Sequence, residues 1–471
     1  MKNKLLPSLA EAIRQTGLRD GMTVSFHHHF REGDCLLAQV LLEIEKLGIR
    51  DLTLSASSLF NVHAPVVTDL IRKGVITGIE TNYMAGGFGR EISRGLLKKP
   101  VIFRSHGGRD AALWTGETHV DVAFIGAPTA DPMGNLAAAV GPAACGTLSY
   151  AGMDAIKAHK VVAVTDHLAP YPALPISIPE QYVDYVVQVD QIGDPRGIVS
   201  GTMKITKDPV ALCIARYTTA VMEQAGLLDD ENFVFQTGAG GISLAAAQFL
   251  KERMLEKKVQ GAAVIGGITG YCVDLLESGC FRAILDTQCF DLRAIQSIRE
   301  DPRHTELSIF QYASPEAKST AADSLGAVIL GATEMDVDFN VNVHTDSNGY
   351  IIGGSGGHTD VAAGANITII TAPLVRARMP LVSERVTTIS TPGEMVDVLI
   401  TQYGIAVNPR REELRDRLKS AGLPVVSMGK LKRIADDLCG TPAPLETTDR
   451  VVGEVLCRTK DHLDYIYQVK D

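Results

Sequence analysis

Two hydrophobic periods alternate along the chain. Short apolar runs of strand length end in turn residues, as in VDVAFIGAP at 120–128 and ANITIITAP at 365–373. Between such runs lie segments with apolar residues at helical spacing, such as CLLAQVLLEIEKL at 35–47. Strands that alternate with helices predict parallel sheets covered by helices. Ligands of such sheets bind beyond the carboxyl ends of the strands, so motifs at strand ends are the candidates for function.

The chain also resembles itself. Three pairs of segments match: 69–79 with 274–284, 120–135 with 335–350, and 22–41 with 232–250. The first pair has an offset of 205 residues and the second an offset of 215, a drift that we attribute to a loop insertion. The matches predict an α/β protein of two homologous open domains, residues 1–225 and 226–471, with largely parallel sheets and an active site between them.

Composition narrows the class of protein. The 471 residues carry a net charge of −10, which argues against nucleic-acid binding because that needs a basic surface. None of the eight cysteines forms a CxxC pair, so neither a disulfide framework nor a zinc site is expected. The N-terminus lacks a signal-peptide pattern, and no apolar stretch reaches 18 residues. We therefore expect a cytoplasmic chain with no membrane span and no metal.

The turn after the predicted strand MTVSF (22–26) carries three consecutive histidines, His27, His28 and His29, followed by Arg31. Three neighbouring side chains cannot all face one way, but two of them and Arg31 can face one anion above a helix N-terminus. We predict that these four residues bind the substrate. A solvated turn with incidental histidines is one alternative. A metal site is another, although no further ligand stands at familiar spacing.

A second motif, residues 353–360, has four glycines among eight residues. Glycines let the backbone approach a ligand closely and aim several N–H groups at it. Gly356, Gly357 and His358 are the predicted catalytic residues, because a thioester carbonyl that becomes an oxyanion needs such donors. Gly353 and Gly354 are predicted to contact a pantetheine phosphate. A flexible loop is the alternative.

Further glycines follow the strand that opens the second half. Thr237, Gly238, Gly240 and Gly241 are predicted to contact a pantetheine arm or an acyl group. They are not a dinucleotide fingerprint, because Ser243 stands where that motif needs Gly or Ala, and no Walker-type Lys follows. Tight packing of the strand against its helix is the alternative.

Arg109 ends the segment SHGGR at 105–109, directly after an apolar run. It is a candidate for a bidentate contact to a substrate carboxylate, with an ordinary surface arginine as the alternative. The Gly-rich turn at 84–90 has a similar standing. The sequence gives little support to hydrolysis by a Ser-His-Asp triad.

DPMGN at 131–135 and GGSGGHTD at 353–360, one in each half, resemble the CoA-transferase superfamily. Over almost its whole length the chain is more closely similar to the citrate lyase alpha-subunit family. The segments that carry this resemblance are MTVSFHHHFREGD (22–34), HAPVV (63–67), SHGGR (105–109), VQVDQIGDP (187–195), DFNVNVHT (338–345), SGGHTD (355–360), APLVRARMP (372–380) and GIAVNPRR (404–411).

The resemblance implies an exchange reaction, in which citrate replaces acetate on the phosphopantetheine-derived arm of an acyl carrier protein. It also implies a beta subunit and an acyl-carrier (gamma) subunit as partners, and we expect a homo-oligomer. Ordinary CoA-transferases use a Glu nucleophile in the second half, but residues 263–271 here read AVIGGITGY. Covalent glutamyl catalysis therefore lacks its nucleophile. Gly266 and Gly267 are expected to leave room for substrate, whose own carboxylate attacks the thioester.

Three other functions remain open from the sequence. A transferase acting on free CoA is disfavoured by the missing Glu. A citramalate lyase alpha subunit needs the same chemistry with a smaller acid. A scaffold subunit without chemistry of its own is disfavoured by the Gly-rich loops and the polar turn.

Overall fold

The computed structural model describes residues 3–199, 205–238, 240–443 and 445–470. Two large, mostly parallel sheets organise these residues. The ten strands of the first sheet are, in spatial order, Leu5–Leu6, Tyr185–Gln188, Lys160–Thr165, Val122–Gly126, Thr23–Phe26, Leu52–Ala56, Ile76–Thr81, Val101–Phe103, Thr447–Leu456 and His462–Val469. All neighbours pair in parallel except the last two, which form an antiparallel hairpin.

The second sheet repeats this plan. Its nine strands are, in spatial order, His304–Glu306, Phe281–Cys289, Gly261–Ile268, Val234–Thr237, Leu325–Leu330, Thr368–Thr371, Val398–Thr401, Gly404–Val407 and Val425–Val426. In each half one strand, Thr23–Phe26 or Val234–Thr237, lies inside its sheet and organises the order. The next three strands of the same sheet along the chain follow in order on one side of it, and the three after those on the other. The predicted α/β class with largely parallel sheets and a duplicated plan is therefore confirmed.

Helices cover both sheets. Their bounds are Leu9–Thr16, Leu36–Lys46, Ala64–Arg72, Gly86–Ser93, His106–Thr115, Gly152–Lys157, Pro209–Gln224, Gly241–Lys257, Gly270–Glu277, Leu292–Glu300, Ile309–Ala313, His358–Gly364, Glu412–Ser420 and Met428–Cys439. Their ends follow local chemistry. Ser8 caps the first helix by accepting the Glu11 N–H at 3.2 Å, and Gly17 ends it in the left-handed region at φ 72°. No helix among the described residues is long and apolar enough to cross a membrane.

Small sheets extend the ends of the central strands in both halves. They are Thr129–Ala130 with Leu136–Ala137, Val375–Arg376 with Met379–Pro380, and Glu334–Asp336 with Val341–Asn342 and Val382–Ser383. The hairpin at 129–137 and the one at 334–342 correspond at an offset of 205. In each, an aspartate closes the turn: Asp131 accepts three backbone N–H groups and the Asn135 amide, and Asp336 accepts the Asn340 N–H and amide.

The offset of 215 predicted for residues 120–135 is therefore wrong. Strand Val122–Gly126 corresponds to strand Leu325–Leu330, so the offset is 205 and no ten-residue insertion separates the two. The error has a physical origin. MDVDF at 335–339 has the apolar alternation of a buried strand, but it belongs to the small sheet that follows the true counterpart.

The sheets do not divide the chain at a single point. The hairpin of Thr447–Leu456 and His462–Val469, predicted to belong to the second domain, extends the first sheet beside Val101–Phe103. The helix Pro209–Gln224, predicted to belong to the first domain, packs against Gly241–Lys257 of the second half. The C-terminus thus returns to the first half and ties the two halves together.

Candidate active site between the two halves

The three histidines after the first central strand point in alternating directions. The rings of His27 and His29 stack with centroids 5.8 Å apart on one side. The His28 ring lies on the other side, 4.3 Å from the Tyr150 ring and 6.1 Å from the His106 ring. Burial lowers the pKa of His27 to about 4 and holds the pKa of His28 and of His29 well below the ordinary value. All three are therefore neutral at physiological pH.

His28 is fixed by both halves. Its Nδ1 lies 2.6 Å from Ser57 Oγ, and its Nε2 lies 3.1 Å from Oε1 of Gln288 in the second half. The Gln288 amide also donates to the His28 carbonyl at 3.2 Å. Both ring nitrogens are thus occupied, so His28 forms a wall of the site and joins the halves.

Arg31 provides the cationic group. Its guanidinium carbon lies 5.4 Å from the Phe60 ring centroid and 5.0 Å from that of Phe290, a residue of the second half. Its Nη1 is buried without a hydrogen-bond partner, and its backbone φ is 52°, a conformation rare for a non-glycine residue. A buried cation with an unpaired donor is expected to meet an anion. Strained backbone of this kind is typical of functional sites.

Contacts between neighbouring side chains close a circuit around this position. From Arg31 it runs through Phe290, Gly267, Gly266, Gln236, Tyr312, Gly357, His106, Tyr150, His28 and Phe60. The members from Phe290 to Gly357 belong to the second half, and the members from His106 back to Arg31 belong to the first. The circuit brings the predicted Arg31, His28, Gly266, Gly267 and Gly357 into one place between the two domains.

His106 is a member of the circuit that sequence reasoning did not single out. Its ring lies 4.8 Å from the Tyr150 ring, and its Nδ1 is buried without a partner. Burial, with a smaller effect of the Arg109 charge, lowers the pKa of His106 to about 3. The signal was present in SHGGR, where His106 is the only ring after an apolar run, but attention went to Arg109.

The Gly-rich loop lies against the first half. Gly356, at φ 52°, donates its N–H to the Asn82 carbonyl and accepts the His106 N–H at 2.9 Å. A Cβ at Gly354 would stand 2.2 Å from the Asn82 carbonyl oxygen, and one at Gly353 would stand 2.5 Å from that of Val343. Gly353 and Gly354 therefore allow two backbone segments to pack closely. This role differs from the pantetheine contact that we predicted for them. Gly357 is the loop residue that borders the circuit.

His358 has a different role from the predicted one. Its Nδ1 lies 2.8 Å from Thr391 Oγ1, and its Nε2 lies 3.0 Å from the Gly331 carbonyl. Burial lowers its pKa to about 4. Since both nitrogens are engaged within the second half, His358 anchors the helix that follows the loop and offers no free nitrogen for catalysis.

Arg109 is likewise occupied. Its guanidinium donates to both carboxylate oxygens of Asp154, at 2.7 and 2.8 Å, and to Ser55 Oγ at 3.0 Å. Both charged side chains are buried. A substrate carboxylate would have to displace Asp154, so the bidentate contact predicted for Arg109 is made within the protein.

The two glycines at the position of the missing Glu make room for protein side chains. A Cβ at Gly266, whose φ is 93°, would stand 2.7 Å from Gln236 Cδ. A Cβ at Gly267 would stand 2.2 Å from the Phe290 ring. The space that we predicted for substrate is thus filled by Gln236 and Phe290, and Phe290 in turn contacts Arg31.

The first glycines of the second half lie at the start of the 17-residue helix Gly241–Lys257. Thr237 donates to the Ser243 carbonyl at 3.1 Å, and Gly238 donates to the Ile329 carbonyl at 3.0 Å. Apart from its chain neighbours, no described residue has an atom within 4 Å of a Cβ at Gly240, and no described side chain caps this helix. Gly240 is therefore accessible to a ligand.

Two other features lie outside the circuit. Asp286, Cys289 and His304 converge as metal-ligand types would, but they already form a buried hydrogen-bond chain in which Asp286 Oδ2 lies 3.0 Å from His304 Nε2 and 2.9 Å from Cys289 Sγ. A groove of about 590 Å³ lies between residues 382–387 and the C-terminal hairpin. We take the circuit as the candidate active site, because it combines a cation, neutral imidazoles and backbone N–H groups that a ligand can approach closely.

A duplicated α/β fold with its site between the halves defines a CoA-transferase-like protein. Structural neighbours agree: the malonate decarboxylase alpha subunit of Acinetobacter baumannii has a TM-score of 0.67 at 16% identity over 94% of this chain and 93% of its own. A crystal structure described as the citrate lyase alpha subunit of Streptococcus mutans in complex with citrate has a TM-score of 0.97 at 44% identity, covering 100% of this chain and 92% of that one.

Sequence comparisons identify the family. The model of the citrate lyase alpha subunit (CitF) matches residues 2–469. The citrate lyase alpha chain of Klebsiella pneumoniae is 47% identical over 100% of this chain and 92% of its own length, and that of Escherichia coli K12 is 47% identical over 99% and 91%. The chain belongs to the citrate lyase alpha-subunit family. It is therefore a component of a multi-subunit enzyme.

Proposed function

We propose that the chain exchanges acyl groups on a thioester carrier, converting acetyl-carrier and citrate into citryl-carrier and acetate. The observation that carries this proposal is the buried Arg31 Nη1, which has no partner among the described residues, in a circuit of contacts that also includes Gly357. An anionic acid and a thioester carbonyl need these two features. The relative from Streptococcus mutans, described in complex with citrate, supports the choice of acid.

The exchange needs no acylated side chain. A citrate carboxylate oxygen bonds to the acetyl carbonyl carbon, and the carbon–sulfur bond breaks to release the carrier thiolate. The thiolate then attacks the citryl carbonyl of the mixed anhydride, and acetate leaves. No net proton transfer is required, so neutral His106 and His28 suit this route. The protein positions the reactants and donates hydrogen bonds to the oxyanion.

Two groups around the site supply donors for this oxyanion. The Gly357 N–H lies at the start of the helix His358–Gly364, beside the His106 ring. The unpartnered His106 Nδ1 is the second candidate. A neutral imidazole polarises a carbonyl without giving up a proton, which matches a pKa of about 3.

The carrier arm is proposed to approach over the open turn at Gly238, Gly240 and Gly241. Apart from its chain neighbours, no described residue has an atom within 4 Å of a Cβ at Gly240, and the N-terminus of this 17-residue helix has no side-chain cap; both features fit a phosphate-bearing pantetheine group. That group supplies the thioester and belongs to the partner acyl carrier protein. A beta subunit that cleaves the citryl thioester completes the proposed complex.

The test is incubation of the full chain with acetyl-carrier and citrate, followed by product identification and peptide mass analysis. We expect citryl-carrier and acetate, with no acylated Glu or Asp. The mass analysis should cover the peptide that contains Asp360, because this carboxyl is buried near the loop, with Oδ2 2.9 Å from the Gly107 nitrogen. A stoichiometric acyl adduct on either residue type would refute the direct route, and absence of exchange would refute the function.

A further inference from the structure

We propose that Phe290, seated on Gly267, is a positioning residue that holds Arg31 in place and thereby selects acceptors with a carboxylate beyond the reacting one. The proposal rests on the exchange function proposed above. It assigns a purpose to Gly267, one of the two glycines at the position of the missing Glu.

The contact between Phe290 and Gly267 is unusually close. A Cβ on Gly267 would stand 2.2 Å from Phe290 Cε2 and 2.4 Å from Cζ, distances at which the ring must move. Gly267 lies on strand Gly261–Ile268, and Phe290 follows the neighbouring strand Phe281–Cys289. Only a residue without a side chain leaves room for the ring at this distance. The contact with Gly267 thus limits where the ring can lie.

A bulge places Phe290 and its neighbours. The pairing of the two strands shifts register between Gly266 and Gly267, so that Gly266 faces Asp286 while Gly267 faces Gln288. The extra residue, Thr287, reverses the usual alternation of side chains for the rest of the strand. Gln288 then reaches His28 in the first half, and Phe290 reaches Arg31.

The Arg31 guanidinium lies against aromatic rings from both halves. The two-ring clamp, Phe60 from the first half and Phe290 from the second, flanks the guanidinium at 5.4 and 5.0 Å. The charge of the neighbouring Glu32 favours the Arg31 cation at longer range, while its carboxylate accepts hydrogen bonds from the Asn61 amide and the Val62 N–H. No salt bridge to Arg31 occurs within the described residues. The clamp therefore orients a cation whose Nη1 remains unpaired.

An oriented, unpaired guanidinium beside the reacting centre recognises a second anionic group on the acceptor. The carboxylate that attacks the thioester must lie near the Gly357 loop and His106. A different carboxylate of the same molecule can then pair with Arg31. Polycarboxylates satisfy both positions, whereas a monocarboxylate such as acetate satisfies one. The clamp accordingly favours citrate as acceptor and acetate as leaving group.

The experiment measures citrate and acetate binding to the full chain by isothermal titration calorimetry, together with steady-state exchange kinetics. Phe290→Leu is expected to raise both the Kd and the KM for citrate by about 3- to 30-fold, the range of a lost cation–π contact. Acetate binding, the KM for acetyl-carrier and kcat should stay within about threefold. Phe290→Tyr, which keeps a ring, should bind citrate like the wild type.

Gly267→Ala provides the second arm. Its Cβ displaces the ring, so it should weaken citrate binding as Phe290→Leu does. In the double variant the smaller Leu leaves room for the Cβ, and the two effects should be clearly less than additive. Phe310→Leu serves as a matched control, because Phe310 packs on Trp114 outside the circuit.

An unchanged citrate Kd in folded Phe290→Leu, or equal weakening of citrate and acetate, would overturn the proposal. So would strict additivity of the two substitutions. Failure of the proposed function has a different signature: the wild type would then form no citryl-carrier at all. The calorimetric arm does not depend on turnover and still tests the clamp in that case.

Discussion

The proposed role of His106 can be tested by simple substitutions. Its Nδ1 has no partner among the residues that the structure describes, and burial lowers its pKa to about 3. If it donates to the oxyanion, His106→Ala should lower kcat of exchange by about 10²-fold, the scale of one lost donor. His106→Gln keeps a donor and should retain more activity.

The pH dependence separates this role from acid–base catalysis. A histidine with a pKa of about 3 stays neutral from pH 5 to pH 8. The kcat of the wild type should therefore not rise with pH near 6.5 because of His106. The pH profiles of the wild type and of His106→Gln should have the same shape there. A rise that is lost on substitution would mean that His106 titrates during turnover.

Arg109 illustrates the opposite case, a charged residue with a structural role. Breaking its buried bidentate pair with Asp154 leaves an uncompensated charge, and Arg109→Ala should lower the free energy of unfolding by about 3–5 kcal/mol. Urea denaturation checks this. Variants that remain folded, such as Arg109→Lys, should keep a citrate KM close to wild type. A large KM increase without destabilisation would restore the substrate role predicted from sequence.

Residue-scale prediction is strongest where the signal is local. Three consecutive histidines cannot all face one way, and in the structure the His28 ring lies on the other side from the rings of His27 and His29. Prediction failed for Arg109 because the decisive partner, Asp154, lies 45 residues further along the chain. The role of Gly267 was hidden for the same reason, since only folding reveals the ring of Phe290 against it.

At the scale of elements, two equivalent turns closed by aspartates show that the two halves share local interactions as well as strand order. Asp131 and Asp336 each close a turn that follows a central strand, and their carboxylates accept several backbone N–H groups. We expect Asp131→Ala and Asp336→Ala each to destabilise the chain by about 2–4 kcal/mol, because buried donors lose their partners. Asp338→Ala, at an exposed neighbour, should change stability by less than about 0.5 kcal/mol. Thermal and urea unfolding measure all three, and a loss in only one half would argue against equivalent turns.

Elements were predicted better than their assignment to halves. Apolar runs ending in turns located the central strands, because buried parallel strands have a strong local signature. The same signature misled the alignment at 335–339, where a short strand of a small sheet imitates a central one. Nothing local in the segment at 447–469 indicates that it pairs with Val101–Phe103, since sheet partners are chosen by long-range packing.

At the scale of the whole molecule, polar contacts across the interface join the two halves. Gly107 donates to Asp360, Gln288 meets His28, and the Leu148 N–H donates to Glu306 at 2.5 Å. The C-terminal hairpin, which follows the second half in the chain, pairs with the first sheet and so connects the halves again. A site formed by residues of both halves, such as the two-ring clamp, requires this fixed arrangement.

Glu306 makes the interface sensitive to pH. Burial, with a smaller effect of the nearby Asp286 carboxylate, raises the pKa of Glu306 to about 7. The unfolded chain releases this proton near the ordinary pKa of 4.5, whereas the folded chain holds it until about 7. Stability from this group is therefore full below pH 4.5 and falls as the pH rises to 7, by up to about 3 kcal/mol.

Glu306→Gln removes this titration while keeping an acceptor for the Leu148 N–H. The variant should match the wild type or be slightly less stable at pH 5, and should gain about 2–3 kcal/mol relative to it at pH 8. Urea denaturation of both proteins at the two pH values measures the difference, with Glu413→Gln at an exposed position as the control. A wild-type-to-variant difference that is the same at pH 5 and pH 8 would show that Glu306 ionises in the folded protein as it does in the unfolded chain, and the two halves would then meet without a proton held between them.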